Sequence, residues 1–402
     1  MTAKRPPVVR WMESRSLRAV GACAMTICTV CTMALPTSCA GTPKPAASGA
    51  DASPVDLYSL EDRLVIGPDA ARTLGFRVAW ETLPIIAPDS EFVRFEGGGD
   101  SIFVLDSKNV LTRLRKDDGN RVWQTPVGGR HDSIQGIVRV GDRVGLTADG
   151  SMIVVDAITG AQIDNQHFDR PARTAAVVAS PYLVYGGRGG TIVWHEYRVG
   201  HSWRVNGTDG PILVKPLLLG DDIVAASATG SVIVMDARTA RTIWTKQLLA
   251  GIVARPTGGS GMIFIASKDQ YLWALAQADG HTVWKYFNDA PLVTPPTLIG
   301  DRLYQRIPSL GLCCFDAFVT DKPDGKILWS NKDVAGEVIG RSKQNLLVWD
   351  PASHTLTALD DNGAKVRAIS LPQVEQIVMT APEGGDIYAA GHDGRLERLV
   401  PQ

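Results

Sequence analysis

At 402 residues the chain exceeds the usual size of one domain, so it is either one large repeat domain or two ordinary ones. Hydrophobic residues make up 45% of it and charged residues 21%, with 40 Gly and 24 Pro, which excludes a disordered chain and indicates an ordered protein rich in turns. The formal net charge is −1 and there is no long run of Lys and Arg, so nucleic acid is not an expected partner.

The first predicted element is a leader over residues 1–39. A basic start is followed by an uncharged run from Ala19 to Leu35, which is the layout of a secretory signal. The run is short for a membrane span and is diluted by Thr, Cys and Gly, although an uncleaved anchor stays as the alternative. Export of the rest of the chain is therefore expected.

The end of the leader, "LPTSCAG", resembles the lipobox of bacterial lipoproteins. The small residues Thr37 and Ser38 precede Cys39 as in that pattern, whereas Pro36 stands where an aliphatic residue is usual. The resemblance implies that Cys39 is lipidated and becomes the first residue of the mature chain. Ordinary cleavage after Ala40 is the competing interpretation. Both place the body of the protein outside the cytoplasm, in the periplasm or at the outer membrane.

A flexible tether is predicted over residues 40–75, because "AGTPKPAASGADASPVD" is small, Pro-rich and without periodicity. Four of the six Cys lie in the leader or at its end, and only Cys313 and Cys314 belong to the body. Disulfides therefore cannot be what holds the fold together.

A repeat with a period near 40 residues extends from residue 76 to residue 402. In most units a Trp stands four residues after a turn Gly. The eight positions that align are Trp80, Trp123, Asp164, Trp203, Trp244, Trp284, Trp329 and Arg367. Such a period is typical of a repeat architecture and not of two ordinary domains.

Each unit contains four short runs of strand character, for example "GIVARPTG", "MIFIAS", "YLWALAQ" and "TVWKYF". A Gly-Asp pair recurs between the first and second runs, at Gly141-Asp142, Gly220-Asp221 and Gly300-Asp301, and suits tight hairpins. Units of this length with four strands are blades of a β-propeller. The fold predicted for residues 76–402 is all-β, with eight four-stranded antiparallel blades.

The two ends of the repeat predict how the ring closes. The C-terminal unit supplies three strands and stops before its Trp strand, whereas residues Phe76 to Pro84 supply a Trp strand with nothing before it. Joining them completes the eighth blade and removes an open sheet edge. The recurrent Trp residues would then fill the gaps between blades as structural residues without a ligand.

The stretches "VVDAITG", "VMDARTARTIW" and "ADGHTVW" resemble the Ala-x-Asp-x-x-Thr-Gly-x-x-x-Trp repeat of the pyrroloquinoline-quinone (PQQ) type propellers. An exported chain with eight such blades and no other domain resembles the BamB family within that group. This resemblance implies a monomeric, non-enzymatic scaffold without a cofactor. Its partners would be proteins of the cell envelope, in particular the β-barrel assembly machinery, and a lipid anchor would hold it at the membrane.

The enzymes among the PQQ-type propellers imply an alternative function, in which the central channel binds PQQ with Ca²⁺ or another small ligand. Those enzymes carry a disulfide between adjacent cysteines. In this chain Cys313 and Cys314 lie in a predicted strand, where neighbouring side chains point to opposite faces, so two buried thiols are expected. The seven His show no metal-ligand spacing and are expected to be structural or surface residues.

One blade carries an insertion, in "FDAFVTDKPDGKILW" before Trp329. Insertions in propellers fall on the rims, so this loop is a candidate contact with a partner. The alternative is a tolerated surface insertion, because loops absorb extra length at low cost.

Overall fold

The computed structural model of the protein describes residues 64–87, 89–343 and 345–402. Regular structure in these residues is almost entirely β-strand, with one short α-helix, α1 (Pro68–Thr73), and a 3-10 helix (Arg188–Gly190). The strands form eight separate four-stranded antiparallel sheets. The predicted all-β, eight-bladed propeller is confirmed. The predicted leader, including Cys39, lies outside the described residues, as does most of the predicted tether.

Seven blades each use four consecutive strands. Blades 1 to 3 are β2(Phe92–Gly98), β3(Ser101–Asp106), β4(Val110–Arg115), β5(Arg121–Pro126); β6(Ile134–Val140), β7(Arg143–Ala148), β8(Ser151–Asp156), β9(Gln162–His167); and β10(Val177–Ala179), β11(Tyr182–Gly186), β12(Thr191–Glu196), β13(His201–Asn206). Blades 4 and 5 are β14(Leu217–Leu219), β15(Asp222–Ala226), β16(Ser231–Asp236), β17(Thr242–Gln247); and β18(Thr257–Gly259), β19(Met262–Ala266), β20(Tyr271–Ala276), β21(Thr282–Phe287). Blades 6 and 7 are β22(Thr297–Ile299), β23(Arg302–Ile307), β24(Gly311–Asp316), β25(Ile327–Asn331); and β26(Glu337–Ser342), β27(Asn345–Asp350), β28(Thr355–Leu359), β29(Lys365–Ser370).

Blade 8 joins the two ends of the repeat. It consists of β30(Val374–Met379), β31(Ile387–Gly391), β32(Leu396–Pro401) and, as its outermost strand, β1(Phe76–Glu81). β1 pairs antiparallel with β32, with Phe76 opposite Pro401 and Glu81 opposite Glu397. The ring therefore closes through the strand pair that the unequal ends of the repeat predict.

The core lies between the blades and not within any one of them. Every residue of β3 is buried, because another blade covers each face of the sheet, whereas β9 at the outer edge has five exposed residues and one buried. One cluster of buried side chains joins blades 5 and 6, and the next joins blades 6 and 7. Because the apolar surface is buried at the junctions, each blade depends on its two neighbours for stability.

The Gly-Asp turns have the predicted conformation. Gly141, Gly220 and Gly300 have φ of 62°, 62° and 58°, in the left-handed region that favours Gly. Each joins the first strand of its blade to the second. The turn chemistry read from the sequence therefore fixes the boundary between these two strands in blades 2, 4 and 6.

Recurrent Trp residues connect five of the blades, 8, 1, 4, 5 and 6, to the following one. In four of these the indole N–H donates to a carbonyl just after the third strand of the following blade, as from Trp80 to Lys116 and from Trp244 to Gln277. The ring also lies against the turn Gly of that blade: a Cβ on Gly119 would come within 2.6 Å of Trp80 Cε3. This contact explains why Gly and Trp recur together in the repeat.

The junction of blades 3 and 4 departs from this arrangement. There the donor is Trp194 of β12, whose indole N–H lies 2.8 Å from the Ala237 carbonyl, and not Trp203 on the outermost strand. Trp194 is completely buried, while Trp203 packs edge-on against Tyr182. The turn residue is Ala240, with φ of 55°, where other blades have Gly. The Cβ of Ala240 has room here because the indole of Trp194, and not that of Trp203, fills this junction.

The junction of blades 2 and 3 has no indole, since Asp164 stands in the Trp position, and a polar network replaces it. The Gln166 amide group donates to the Tyr197 carbonyl and to Asp164 Oδ2, at 3.0 and 2.7 Å. Its oxygen, 2.6 Å from His195 Nε2, must therefore accept from that nitrogen, which leaves His195 Nδ1 to accept from the Ser202 hydroxyl at 2.7 Å. Burial lowers the pKa of His195 to about 4, so the ring is neutral.

The packed unit begins ahead of the first strand. Val65, Ile66 and Leu74 are buried in the same cluster as blades 7 and 8, although they fall in the range predicted as tether. The Ile66 N–H donates to the buried carboxyl of Glu397 at 2.5 Å. Burial raises the pKa of Glu397 to about 8, so this carboxyl is mostly protonated at neutral pH. These contacts fix residues 65–74 beside the strand pair that closes the ring.

Candidate functional site

The propeller has two rims with different loops. We call the rim that carries the links from the fourth strand of one blade to the first strand of the next the connection rim. The opposite rim, which we call the turn rim, carries the hairpins between first and second strands and between third and fourth strands. The strands of all eight blades have equivalent order and direction, so every inter-blade link emerges on the connection rim.

Exposed apolar side chains occur on the connection rim in three successive links. Leu213 lies in the link between blades 3 and 4 (207–216), Leu249 between blades 4 and 5 (248–256), and Val293 between blades 5 and 6 (288–296). Leu249 is 88% exposed, although its neighbour Leu248 is buried. Phe287, at the end of β21 on the same rim, is 55% exposed. We call these four residues the connection-rim patch.

An aromatic cluster extends the connection-rim patch along blade 5. Phe287 lies opposite Tyr271 in the strand pair, with ring centroids 5.3 Å apart, and Tyr271 lies 5.4 Å from the ring of Trp273. The ammonium of Lys285 lies over both rings, 4.6 Å from the centroid of Tyr271 and 5.1 Å from that of Trp273. Partly exposed aromatic rings held rigidly by each other are typical of the central residues of protein interfaces.

The central channel is lined by charged residues of both signs. The first strands of successive blades contact one another around the ring, which places them at its centre. Lys215, at the start of blade 4, and Glu96 of blade 1 influence each other across the channel; burial lowers the pKa of Lys215, and Glu96 opposes that effect. Burial also raises the pKa of Glu337 in blade 7, against the effect of Arg255. The channel therefore contains charged side chains of both signs.

Comparison with known proteins agrees with this architecture. The family model described as outer membrane protein assembly factor BamB matches residues 86–188 and 184–332, which together extend over more than half of the chain. The chain belongs to the BamB family. The PQQ-type repeat predicted from the sequence is therefore confirmed.

Two curated BamB proteins are similar in sequence to part of this family member. The outer membrane protein assembly factor BamB of Shewanella oneidensis is 24% identical over 203 residues, which cover 46% of this chain and 50% of that protein. The BamB of Yersinia pestis is 22% identical over 202 residues, with 46% and 51% covered. The chain thus matches about half the length of these relatives.

Solved structures resemble this BamB-family propeller over most of its length. BamB from Moraxella catarrhalis superimposes with a TM-score of 0.63 at 18% identity, covering 81% of this chain and 97% of that one. A computationally designed protein, Ika8, gives 0.64 at 13% identity, with 80% and 99% covered. At these identities the likeness concerns the fold alone.

The cysteines of the BamB-family body are buried in two different junctions. Cys313 packs in the cluster between blades 5 and 6, and Cys314 in the cluster between blades 6 and 7. Both are free thiols, and burial raises the pKa of Cys313 to about 12 and that of Cys314 to about 11. They lie on opposite faces of β24, as the alternation of a strand predicts. This position makes them packing residues and not nucleophiles.

The insertion before Trp329 is located on the turn rim, opposite the connection-rim patch. It forms the hairpin between β24 and β25 and packs against blade 5, where the Lys285 N–H donates to the Pro323 carbonyl at 2.9 Å. Val319 within it is buried in the junction of blades 5 and 6. The insertion is therefore partly a structural cover of this junction.

Across 64–87, 89–343 and 345–402 there is no group of three or more His, Cys, Asp or Glu arranged to hold a metal ion. Within those limits, too, no helix has the length and hydropathy needed to span a bilayer. The connection-rim patch, which depends on exposure, was not detectable from the sequence.

Proposed function

We propose that this BamB-family propeller is a non-enzymatic scaffold that binds other proteins of the cell envelope and assists the assembly of outer-membrane β-barrel proteins. The observation that carries the proposal is the connection-rim patch with its aromatic cluster on a fold of this family. Exposed aliphatic side chains in successive links beside a rigid cluster of aromatic rings are typical of a protein interface. The names of the curated relatives support the same function.

The partner is expected to contact the connection rim with an apolar surface of its own. Leu249 and Val293 carry the exposed aliphatic area, and the rings of Tyr271 and Trp273 with Lys285 supply a rigid border. Because all of this surface lies on the connection rim of one propeller, a single copy is sufficient to present it, and the protein acts as a monomer.

Capture from its own host tests this function. The tagged chain is purified from gently solubilised envelopes, and the bound proteins are identified and quantified by mass spectrometry. Subunits of the β-barrel assembly machinery are expected with the wild type. Leu249→Asp combined with Val293→Asp should lower their recovery at least about fivefold, because a buried unpaired carboxylate is costly at an interface.

The matched control is Ile158→Asp, which places the same charge at an exposed apolar residue on the turn rim. This control should retain the partners. Equal recovery from all three proteins, or no assembly subunit with any of them, would count against the scaffold. The alternative function, a quinone-binding channel, instead predicts new absorbance and dye-linked dehydrogenase activity after incubation with PQQ and Ca²⁺.

Location at the membrane is part of the same proposal. The leader and the Thr37-Ser38-Cys39 sequence support export and a lipid anchor on Cys39, which would tether the propeller in the periplasm at the outer membrane. Cys39→Ala should abolish labelling by a fatty-acid analogue and release the body into the soluble fraction. Unchanged labelling would show that the lipid is not on this residue, and release of wild-type protein without labelling would favour cleavage after Ala40.

A further inference from the structure

A cavity of about 390 Å³ lies at the seam of the ring, between blade 8 and blade 1. We call it the seam pocket. Phe95 and Ile102 of blade 1 and Val378 of blade 8 supply its apolar lining. The first strands of neighbouring blades pack more closely at the other seven junctions than at this one, which leaves room for the pocket. Its size is within the range of small-molecule sites.

The hydroxyl of Tyr388 has no partner at this pocket. Tyr388 is 3% exposed and lines the seam pocket, and no described residue forms a hydrogen bond with its hydroxyl. A buried hydroxyl without a partner destabilises the fold, so it needs an explanation. Burial raises the pKa of Tyr388 to about 12, which keeps this group protonated and able to donate.

The repeat shows that the hydroxyl is not needed for packing. In blades 1 and 5 the equivalent residues are Phe103 and Phe264, each paired through the third strand with the Trp of its blade. The distances between the aromatic ring and the Trp ring are 6.0 Å in blade 1, 5.9 Å in blade 5 and 5.9 Å for Tyr388 with Trp80. Phenylalanine therefore satisfies the same packing position, and the oxygen of Tyr388 is additional.

Blade 6 provides an internal comparison, because Tyr304 occupies the same repeat position. Burial raises the pKa of Tyr304 to about 12, and a hydrogen bond with Arg341 opposes that effect, so this hydroxyl has a protein partner. The cavity beside it has a volume of only about 10 Å³. At the seam, the Tyr388 hydroxyl without a partner lies beside an open cavity. At the junction of blades 6 and 7, the Tyr304 hydroxyl has a partner and the cavity is almost closed.

The charge beside the seam pocket favours an anion. Lys116 lines the pocket, is half-buried, and forms no ion pair with any residue that the structure describes; the nearby acids Asp118 and Asp100 pair with Arg115 and Arg139. Glu96 also lines the pocket, but Arg94 and Lys215 lie close enough to compensate its charge from the channel side. Two further acids act on Tyr388: Asp386, which pairs with Arg398, and Asp117, which is exposed. Lys116 is therefore the basic residue in the pocket lining that a bound anion can pair with.

We propose that the seam pocket binds a small carboxylic acid with an apolar body. The carboxylate accepts a hydrogen bond from the Tyr388 hydroxyl and pairs with Lys116, while the apolar body fills the space between Phe95, Ile102 and Val378. The acid supplies the acceptor that the Tyr388 hydroxyl lacks and a carboxylate that pairs with Lys116.

A binding experiment with 4-fluorophenylacetate and the full exported chain tests the proposal. The ¹⁹F NMR line broadening of the acid is measured as protein is added. Saturable binding is expected for this acid. Tyr388→Phe should weaken it at least about tenfold, in line with the loss of a hydrogen bond to a charged group. Lys116→Gln should have an effect of similar size, and Tyr304→Phe, the matched control, should have none.

The neutral analogue 4-fluorophenylacetamide should bind at least about tenfold more weakly than the acid, because it lacks the charge that pairs with Lys116. Without ligand, the melting temperature of Tyr388→Phe should equal or exceed that of the wild type, since the variant removes an unpartnered buried hydroxyl. The proposal is overturned if the acid does not bind, if amide and acid bind alike, if Tyr388→Phe binds as the wild type does, or if this variant melts several degrees lower.

Discussion

At the scale of single residues, Trp194 limits what the repeat predicts. The spacing of the repeat identifies Trp203 as the junction residue of blade 3, and Trp203 does lie on the outermost strand. The indole that bonds the following blade belongs to Trp194, directly opposite it in the strand pair. The sequence carries one signal of this exchange: Ala240 replaces the turn Gly that other blades need beneath the Trp ring.

Trp194→Phe is expected to destabilise the fold by about 2 to 3 kcal/mol, because it removes the bond to the Ala237 carbonyl and leaves a void in a closed junction. Trp203→Phe, the matched control on the adjacent strand, should cost less than about 1 kcal/mol because this ring is partly exposed. Urea unfolding of both variants measures the difference. Equal losses, or a larger loss from Trp203→Phe, would contradict the assignment of Trp194.

At the scale of elements, strands and hairpins follow from local chemistry. Neighbouring residues in the sequence predict the Gly-Asp turns with positive φ and the alternation along β24 that separates Cys313 from Cys314. They also predict β1 as a strand that lacks the rest of its blade. The network of Gln166, His195 and Ser202 is not predicted in this way, because it joins β9 of one blade to β12 and β13 of the next. Asp164 indicates a missing Trp without showing what replaces it.

The His195 network predicts a loss of stability in acid. The folded-state pKa of about 4 lies below the value near 6.5 expected for an unfolded His, so between these values the unfolded chain binds one more proton. Stability from this site is complete above about pH 6.5 and falls as the pH drops towards 4, by up to about 3 kcal/mol. Asp164, which favours the charged ring, and His201, which disfavours it, face the same group.

Urea unfolding at pH 7 and pH 4.5 checks this linkage. His195→Gln cannot titrate, so its stability should fall less between the two pH values than that of the wild type. His281→Gln changes a His that is exposed beside Asp279 and should leave the wild-type dependence intact. A His195→Gln protein with the full wild-type loss would place the acid sensitivity elsewhere, for example in other groups that titrate over the same range.

At the scale of the whole molecule, the period of the sequence is sufficient to predict the number of blades and the closure of the ring. It does not predict which surface is used. Exposure of Leu249 and Val293 depends on how three inter-blade links lie on the same rim, and the seam pocket depends on residues nearly three hundred positions apart. Because such surfaces arise from the assembled ring, local patterns in the sequence contain little information about them.

Site-specific photocrosslinking in the living host tests the scaffold function most directly. A photoreactive amino acid replaces Leu249 on the connection rim or, as the control, Ile158 on the turn rim, and both side chains are exposed in the wild type. Crosslinks from position 249 to a subunit of the β-barrel assembly machinery, with few or none from position 158, are the expected result. Crosslinks to that subunit mainly from position 158, or none from either position, would contradict a scaffold that binds through its connection rim.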